Sequence, residues 1–380
     1  MQIPYGKQEI TEADIQAVEK VLRSDFLTQG PAIAAFEKAF SEYVGAKYAV
    51  AVSNGTAALH LSVLALGLQP GQKVITTPIT FVASANCVCY AGGEIELADI
   101  DPETYCIDLE AVREKLQNAS PGEYAGIIPV DFSGYPVNTE ALRQLADEHN
   151  LWILEDACHA PGGNFMDSKE NTIRCGDGTY VDATVFSFHP VKHIAAGEGG
   201  MITTNSEEIY QKLVQLRTHG ITKDANILQE NHGGWYYEMH DLGYNYRLTD
   251  LQAALANSQL TLTNERLEKR LAIAQRYDEA FEHLEIRKQK TPEGKHAFHL
   301  YVVEVEDRKA LYNYLRENGI YAQVHYIPVH YMPYHAVVAQ KGTLPNAERY
   351  YEHCLSLPMY PTLTTEEQAY VIQKVTDFIG

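Results

Sequence analysis

Short apolar segments alternate with helix-like segments along the first half of the chain. Several of these segments are apolar at consecutive positions, which is typical of strands covered by other elements on both faces. The alternation predicts an α/β fold with a mostly parallel sheet wrapped by helices. An amphipathic helix is expected at residues 12–23, and strands are expected at residues 48–52, 73–77, 94–100, 125–130, 151–155 and 184–188.

The pattern changes near Thr249. Residues 250–260 and 265–283 predict long helices, and the second of them carries many charged side chains. A strand at residues 298–305, a helix at 308–318 and a strand at 321–326 complete a smaller α+β unit. We therefore expect a large domain over residues 1–249 and a small C-terminal domain over residues 250–380. The polar, glycine-containing residues 222–234 are expected to form a mobile loop.

Size and charge restrict the class of protein. A chain of 380 residues exceeds what a single hydrophobic core usually serves, which agrees with two domains. The formal net charge of −20 opposes binding to nucleic acids and to anionic membranes, because both require a basic surface. The chain has no apolar run long enough to span a bilayer, and its first residues lack the pattern of a signal peptide. A cytoplasmic protein that acts on small molecules is the expectation.

The cysteines and histidines do not indicate a metal site. The six cysteines are scattered, and none has the C-x-x-C spacing of a zinc or redox site, so we expect reduced and mostly buried thiols. His325, His330 and His335 are five residues apart, whereas metal ligands on a helix lie three or four residues apart. We interpret these histidines as packing or substrate residues and expect no metal.

Lys192 occupies a position suited to a reactive amine. It lies between the predicted strand at residues 184–188 and a glycine-rich turn at residues 197–200. An amine packed among apolar residues and glycines is poorly hydrated, so its pKa falls and it can form an imine with an aldehyde. Pyridoxal phosphate is a cofactor with such an aldehyde. The alternative is a surface lysine at the end of a loop.

Two further segments carry features of a cofactor site. Asp156 ends a buried apolar strand, where a carboxylate needs a cationic partner, and the protonated pyridine nitrogen of pyridoxal phosphate supplies one. Residues 53–59 follow a strand and open a helix with small side chains, which is the geometry of a phosphate site. The alternatives are that Asp156 caps the following turn, and that Ser53 or Asn54 is an ordinary helix cap.

These motifs resemble those of the DegT/DnrJ/EryC1/StrS aminotransferases, and the resemblance covers nearly the whole chain in order. It implies a fold-type I pyridoxal-phosphate-dependent aminotransferase, with a mostly parallel central sheet in a large domain and a smaller C-terminal α+β domain. It also implies amino transfer to a nucleotide-linked keto sugar. Members that replace the lysine by histidine are dehydratases, so the lysine here favours transamination. The motifs are residues 243–247 (GYNYR), Asp156-x-x-His159, and Ser187-x-His189-x-x-Lys192 with Gly197-x-Gly199-Gly200.

The resemblance assigns roles to particular residues. Lys192 would hold the cofactor covalently and act as general acid and base, and Asp156 would bind the pyridine nitrogen. His159 would lie near the phenolic oxygen of the ring, and Phe81 would stack on the ring, although a core phenylalanine is the alternative. The phosphate would be bound by Gly55, Thr56 and Ser187, with Asn245 reaching it from the partner subunit of a homodimer with shared active sites.

Within this family, residues 27–31, 217–221, 235–238 and 322–326 are most similar to the 4-aminotransferases of pseudaminic acid biosynthesis. Those enzymes transfer an amino group from L-glutamate to C4 of a UDP-linked 4-keto-6-deoxy-N-acetylhexosamine. By the same resemblance, the residues in contact with the substrate would be Tyr5, Asp25, Phe26, Leu27, Thr28, Gln323, Val324, His325 and Tyr326.

Other functions remain open from the sequence. Enzymes that make bacillosamine, perosamine or aminoarabinose share much of this scaffold, and a non-catalytic sensor that binds pyridoxal phosphate would keep the same fold. A nicotinamide-dependent oxidoreductase would need G-x-G-x-x-G after the first strand, and the Ser53-Asn54-Gly55-Thr56 run does not supply it. Arg247 is a candidate for binding a glutamate carboxylate, with a structural salt bridge as the alternative.

Overall fold

The computed structural model of the protein describes residues 2–380. The first part of the chain forms β1 (Ile3–Pro4), α1 (Glu12–Leu22), α2 (Pro31–Val44), β2 (Tyr48–Val52), α3 (Gly55–Ala65), β3 (Lys73–Thr76), α4 (Ala83–Tyr90), β4 (Glu94–Leu97), α5 (Leu109–Gln117), β5 (Tyr124–Ile128), α6 (Thr139–His149) and β6 (Trp152–Asp156). The middle part forms β7 (Asn164–Met166), β8 (Thr172–Arg174), β9 (Ala183–Ser187), β10 (Gly200–Thr204), α7 (Glu207–Arg217), β11 (Ile221–Thr222) and β12 (Glu238–Met239).

The last part of the chain begins with two consecutive helices and continues as a mixture of strands and helices. Its elements are α8 (Asp250–Leu260), α9 (Thr263–Ala280), β13 (Arg287–Lys288), β14 (Gly294–Lys295), β15 (Tyr301–Glu304), α10 (Arg308–Glu317), β16 (Ile320–Tyr321), α11 (Pro345–His353), β17 (Cys354–Leu357) and α12 (Thr365–Ile379). The longest helix, α9, has 18 residues and many charged side chains. Within residues 2–380, no helix combines the length and apolar composition that crossing a membrane requires.

The centre of the molecule is a seven-stranded sheet in the order β2-β10-β9-β6-β5-β3-β4. Only β10 runs antiparallel to its neighbours, so the predicted mostly parallel sheet is confirmed. The six strands predicted from apolar runs all form, with ends that shift by a few residues. Most of their residues are buried, as expected of strands that helices cover on both faces.

Helix α3 crosses the sheet directly after β2 and is buried along nearly its whole length. The Asn54 side chain caps it by accepting a hydrogen bond from the backbone N–H of Ala57 at 2.8 Å. This cap leaves the N–H groups of Gly55 and Thr56 without a hydrogen-bond partner among residues 2–380. The positive end of α3 therefore presents free donors at one edge of the sheet.

A second core forms in the last part of the chain. Strands β13, β15 and β17 make an antiparallel sheet, and apolar side chains of α9, α10 and α12 pack with it. Helix α8, in contrast, shares a core with α2, because Ala253 and Ala256 belong to the same buried cluster as Phe36 and Phe40. A domain boundary between residues 249 and 250 stays a prediction.

Residues 321–326 differ from the prediction of a strand. Only Ile320–Tyr321 is a strand, and it pairs in parallel with β1. Gln323 then makes a single bridge to Ser356, after which the chain leaves the sheet.

For residues 222–234, β11 and β12 form a short antiparallel pair at the base of the segment, and its mobility stays a prediction.

Candidate active site

A cavity of about 610 Å³ opens at the carboxyl ends of β2, β6 and β9, where loops after parallel strands converge. It brings together many of the residues expected from the sequence, although they come from distant parts of the chain. Those that line it are Tyr5, Gly55, Thr56, Phe81, Asp156, His159, Ser187, Lys192, His325 and Tyr326.

Lys192 lies on the loop between β9 and β10 and is the one lysine among the residues that line the cavity. Its backbone N–H donates to the carbonyl of His189 at 2.8 Å, which fixes the loop. Its amine has no hydrogen bond or ion pair with any of residues 2–380. Burial lowers the pKa of Lys192, while Cys158 and Asp156 act in the opposite direction. The cavity therefore contains an amine that is free to react and easily deprotonated.

Asp156 ends β6 with its carboxylate buried in the cavity wall. Its Oδ2 accepts a hydrogen bond from Ser84 Oγ at 2.7 Å, and its Oδ1 accepts one from the backbone N–H of Cys158 at 3.2 Å. No cation forms an ion pair with Asp156 within the described chain. A buried carboxylate held only by neutral donors suits a ligand that brings its own positive charge.

The start of α3 forms a narrow cradle beside Ser187. A Cβ added at Gly55 would lie 3.0 Å from the Ser187 Cβ, and one added at Gly200 would lie 2.5 Å from the carbonyl oxygen of Asn54. A larger residue at Gly200 would therefore push the backbone apart, and one at Gly55 would crowd the Ser187 side chain. The free N–H groups at the helix start point to an anion site of the kind that binds phosphate.

Phe81 lies on the cavity wall and is 58% exposed, so it is not a core residue. Its ring centroid is 6.2 Å from that of Tyr326. A large apolar ring that faces a cavity is a surface on which a flat ligand ring can stack. Together with the free amine of Lys192, the carboxylate of Asp156 and the anion cradle, this ring fits pyridoxal phosphate.

His159 is fixed by contacts on both ring nitrogens. Its Nδ1 lies 3.2 Å from the backbone nitrogen of Ser133, and its Nε2 lies 3.2 Å from the hydroxyl oxygen of Tyr326. Burial lowers the pKa of His159 well below its ordinary value, and Lys192 and His325 lower it further. The imidazole is therefore neutral at physiological pH.

Several expected site residues lie outside this cavity. Asp25, Phe26, Leu27 and Thr28 form an exposed stretch between α1 and α2, in which Thr28 bridges Thr249. Gln323 and Val324 are partly buried next to His325. Asn245 is exposed, and its backbone bridges Thr218. Their roles stay predictions. Arg247 makes no ion pair within residues 2–380, so a structural salt bridge does not account for it.

The cavity also contains residues that the sequence patterns did not single out. Ser84 lies on α4 and also contacts Thr80 at 2.8 Å, so its link to Asp156 depends on how α4 packs against β6. Cys158 lies in the turn after β6, two residues beyond Asp156, so its nearness in sequence could have indicated its place. The remaining lining residues are Asn54, Ala57, Leu59, Thr80, Ala83, Val130, His189, Val191, Glu198 and Tyr246.

A buried cluster of two carboxyl groups and a thiol lies outside the residues that line the cavity. Potential ligand atoms of Asp131, Glu155 and Cys175 lie within 4.8 Å of one another. Burial raises the pKa of Asp131 to about 7 and raises those of Glu155 and Cys175 well above their ordinary values. Glu155 and Cys175 therefore keep their protons at neutral pH, and a metal would have to displace these protons to bind here. The absence of a metal stays a prediction.

The histidines of the C-terminal part each have a separate partner. His325 Nδ1 contacts Ser356 Oγ at 2.9 Å, His330 Nε2 contacts Glu348 at 3.2 Å, and His335 Nε2 contacts Asn86 at 2.7 Å. Of these histidines, His325 alone is among the residues that line the cavity. This arrangement agrees with packing roles for His330 and His335.

The chain is similar over almost its whole length to known proteins. The profile of the DegT/DnrJ/EryC1/StrS aminotransferase family matches residues 8–376. Spore coat polysaccharide biosynthesis protein SpsC of Bacillus subtilis (strain 168) is 39% identical over 390 residues, which cover 99% of this chain and 97% of SpsC. The UDP-4-amino-4,6-dideoxy-N-acetyl-beta-L-altrosamine transaminase of Campylobacter jejuni (serotype O:23/36) is 34% identical over 380 residues, covering 97% and 95% of the two chains.

A solved structure has the same architecture throughout. Helicobacter pylori PseC, an aminotransferase involved in the biosynthesis of pseudaminic acid, superposes with a TM-score of 0.87 at 29% sequence identity. The match covers 100% of this chain and 99% of PseC. The expected α/β aminotransferase fold is therefore confirmed.

Proposed function

Because the chain belongs to the DegT/DnrJ/EryC1/StrS aminotransferase family and is a pyridoxal-phosphate-dependent sugar aminotransferase, we propose a particular substrate for it. The proposed reaction transfers an amino group from L-glutamate to C4 of a UDP-linked 4-keto-6-deoxy-N-acetylhexosamine in pseudaminic acid biosynthesis. The observation that carries the chemistry is the unpaired amine of Lys192 in one cavity with the buried carboxylate of Asp156. The Campylobacter transaminase and PseC support the choice of sugar.

The residues proposed to hold the cofactor follow from the geometry of the cavity. The N–H groups of Gly55 and Thr56, with the Ser187 hydroxyl, would bind the phosphate at the start of α3. Phe81 would cover one face of the ring, and Asp156 would pair with its nitrogen. Pyridoxal phosphate supplies an aldehyde and an electron-withdrawing ring, through which an amino group can pass from glutamate to a keto sugar.

The protein itself must bind and orient the cofactor and the substrate, and it must move protons between reacting atoms. Lys192 combines a lowered pKa with freedom from other partners, so it can carry a proton to and from the reacting carbon. Ser84 and the N–H of Cys158 hold the Asp156 carboxylate in one orientation. Other segments of the chain complete the cavity lining with Tyr5, His325 and Tyr326. These side chains reduce the access of water to the reacting atoms.

A second candidate is amino transfer to another nucleotide-linked 4-keto sugar, such as one of the bacillosamine, perosamine or aminoarabinose type. SpsC favours this alternative, because it is 39% identical to the chain and is named for spore coat polysaccharide biosynthesis. A sensor that binds the cofactor without turnover is a third candidate. Because Lys192 would hold the cofactor in a sensor as well, it is the match to the aminotransferase family that argues against a sensor.

A panel of UDP-linked 4-keto sugars, each supplied with L-glutamate and followed by mass spectrometry of the products, tests the substrate. We expect the sugar that yields UDP-4-amino-4,6-dideoxy-N-acetyl-β-L-altrosamine to be aminated at least about tenfold more efficiently than its isomers. Lys192→Ala serves as the control without turnover. Preference for another sugar would replace the proposed substrate, and amination of none would leave the sensor.

We also propose a homodimer whose two sites are shared. Asn245 is exposed and is not among the residues that line the cavity of its own chain, and the nearby segment exposes large apolar side chains. Trp235, Met239 and Leu242 are 75%, 63% and 80% exposed, which is a costly arrangement unless another surface covers them. A partner subunit that covers this segment would bring Asn245 toward the phosphate cradle of the neighbouring chain.

Mixed dimers test this arrangement. A dimer of one Lys192→Ala chain and one Asn245→Ala chain would contain one site with both lesions and one site with neither. Co-expression of the two variants is therefore expected to restore activity well above the mean of the separate proteins, measured as amination rate per mixed dimer. Asn245→Ala must first reduce activity when expressed alone. If it does and the mixed dimers show only the mean of their parents, Asn245 serves its own chain.

A further inference from the structure

Ser133, His159 and Tyr326 form a continuous hydrogen-bonded chain in the cavity wall. The backbone nitrogen of Ser133 lies 3.2 Å from His159 Nδ1, and His159 Nε2 lies 3.2 Å from the Tyr326 hydroxyl oxygen. The rings of His159 and Tyr326 are inclined by only 28°, with centroids 6.1 Å apart. Three segments that are distant in sequence therefore meet with a defined geometry.

Ser133 has a backbone conformation that is unusual for serine. Its φ of 66° and ψ of −10° lie in the left-handed region. Its Oγ donates to the carbonyl of Leu300 at 2.9 Å, and its own carbonyl accepts from the N–H of Leu300 at 3.2 Å. The surrounding structure thus holds a strained residue in place, and the result is an N–H group directed at His159.

This contact decides which nitrogen of His159 carries the proton. A backbone N–H can only donate, so Nδ1 must be the acceptor and must lack a proton. The low pKa of His159 keeps the imidazole neutral, so the single ring proton lies on Nε2. Nε2–H then donates to the hydroxyl oxygen of Tyr326.

The hydroxyl proton of Tyr326 is left without an acceptor among residues 2–380. Its oxygen receives the hydrogen bond from His159, and its ring lines the cavity. Burial raises the pKa of Tyr326, and Tyr5 and Asp156 raise it further, so the proton stays on the hydroxyl. A hydroxyl that lines a cavity and has no acceptor in the protein is free to donate its proton to a bound ligand.

We propose that Tyr326 is a catalytic residue that donates a hydrogen bond to a negatively charged oxygen of the bound ligand, and that Ser133 and His159 are positioning residues that fix its direction. The inference rests on the proposed function. Two oxygens share the required chemistry: the phenolic oxygen of the cofactor, and the keto oxygen of the sugar as charge develops on it. The experiments below separate them.

The direction of the chain is tested without turnover. Nitrogen-15 NMR of the protein, with His159 assigned by comparison with His159→Gln, reports which ring nitrogen is protonated. We expect the neutral form with the proton on Nε2 at pH 7, both with and without pyridoxal phosphate. A proton on Nδ1, or on both nitrogens, would overturn the proposal, whatever sugar the enzyme uses.

Tyr326→Phe tests the acceptor. If the cofactor oxygen is the acceptor, the pH midpoint of the visible absorbance of the holoenzyme rises by about one to two pH units, because the lost donor no longer stabilises negative charge on that oxygen. If the sugar oxygen is the acceptor, that midpoint is unchanged, the half-reaction with L-glutamate keeps its rate, and the half-reaction with the UDP-4-keto sugar slows about 10²-fold. Either result supports the proposal and identifies the oxygen.

Two sets of control variants test whether the effects of Tyr326→Phe come from the hydrogen-bonded chain. Tyr331→Phe removes a hydroxyl that donates to Glu348 at 2.9 Å outside the cavity, and we expect neither measurement to change. His159→Gln can still accept from Ser133 and donate to Tyr326, so it is expected to resemble the unaltered protein, whereas His159→Leu is expected to resemble Tyr326→Phe. If Tyr326→Phe changes neither the midpoint nor a half-reaction, the proposal is wrong. An unaltered protein that fails to aminate any sugar would instead refute the proposed function.

Discussion

Lys192→Ala is expected to reduce transamination by more than about 10⁴-fold and to remove the visible absorbance of the bound cofactor. The reason is that the cavity is lined by a single lysine, and its amine has no other partner within residues 2–380 that could explain its presence. Because the amine makes no hydrogen bond or ion pair there, we expect the melting temperature of the cofactor-free protein to change little. Rates, absorbance spectra and thermal unfolding of purified protein measure these effects.

Two further variants serve as controls. One tests whether a positive charge at residue 192 is enough without the amine, and the other tests whether the loss of a lysine elsewhere lowers the rate. Lys192→Arg keeps a positive charge but lacks the nucleophilic amine, so it is expected to be as inactive as Lys192→Ala. Lys169→Ala removes an exposed lysine between β7 and β8, and we expect unaltered rates. Turnover that survives in Lys192→Ala would show that another group carries the chemistry.

The central sheet was predictable because most of its strands are apolar at consecutive positions. Strand β10 was not predicted, because it begins in the glycine-rich turn and ends in two threonines. Both threonines are fully buried, and their hydroxyls donate to backbone carbonyls, from Thr203 to Gly176 at 2.8 Å and from Thr204 to Asp182 at 2.6 Å. A polar residue whose hydroxyl is satisfied in this way can fill a buried strand position, and no apolar pattern marks it.

Residues 321–326 are the converse case, because a strand was predicted there and most of it does not form. Their alternation of apolar and polar residues is that of a strand, but the strand ends at Tyr321, and the chain reaches the cavity after the bridge from Gln323 to Ser356. His325 is held there by Ser356, and Tyr326 by His159. These side-chain contacts with distant residues outweigh the local preference for a strand, which is common at functional sites.

The site was predictable where the sequence places a charged residue in a segment that is expected to be buried. A carboxylate at the end of an apolar strand and a lysine beside glycines are both unexpected unless they have a function, and Asp156 and Lys192 do lie in one cavity. Ser84 and Ser133 carried no such signal. Ser84 is 72 residues from Asp156, and Ser133 is 26 residues from His159, so their roles arise only when the chain folds.

Asp156→Asn is expected to lower kcat by on the order of 10³-fold while the cofactor still binds. The amide can keep both hydrogen bonds, since its oxygen can accept from the N–H of Cys158 and its NH2 group can donate to Ser84. What it lacks is the negative charge that would keep a ring nitrogen protonated and so draw electrons from the reacting carbon. The measurements are kcat and the amount of cofactor bound per subunit.

Glu155→Gln is the matched control, because Glu155 is the neighbouring carboxyl on β6 but contacts Gly176 and Thr184 instead of the cavity. Burial raises the pKa of Glu155 well above its ordinary value, so the substitution replaces one neutral group by another and kcat should not change. In the cofactor-free protein, Asp156→Asn removes an unpaired buried charge, so its melting temperature should equal or exceed that of the unaltered protein. Unaltered kinetics for Asp156→Asn, or an equal loss of rate in both variants, would mean that Asp156 has only a structural role.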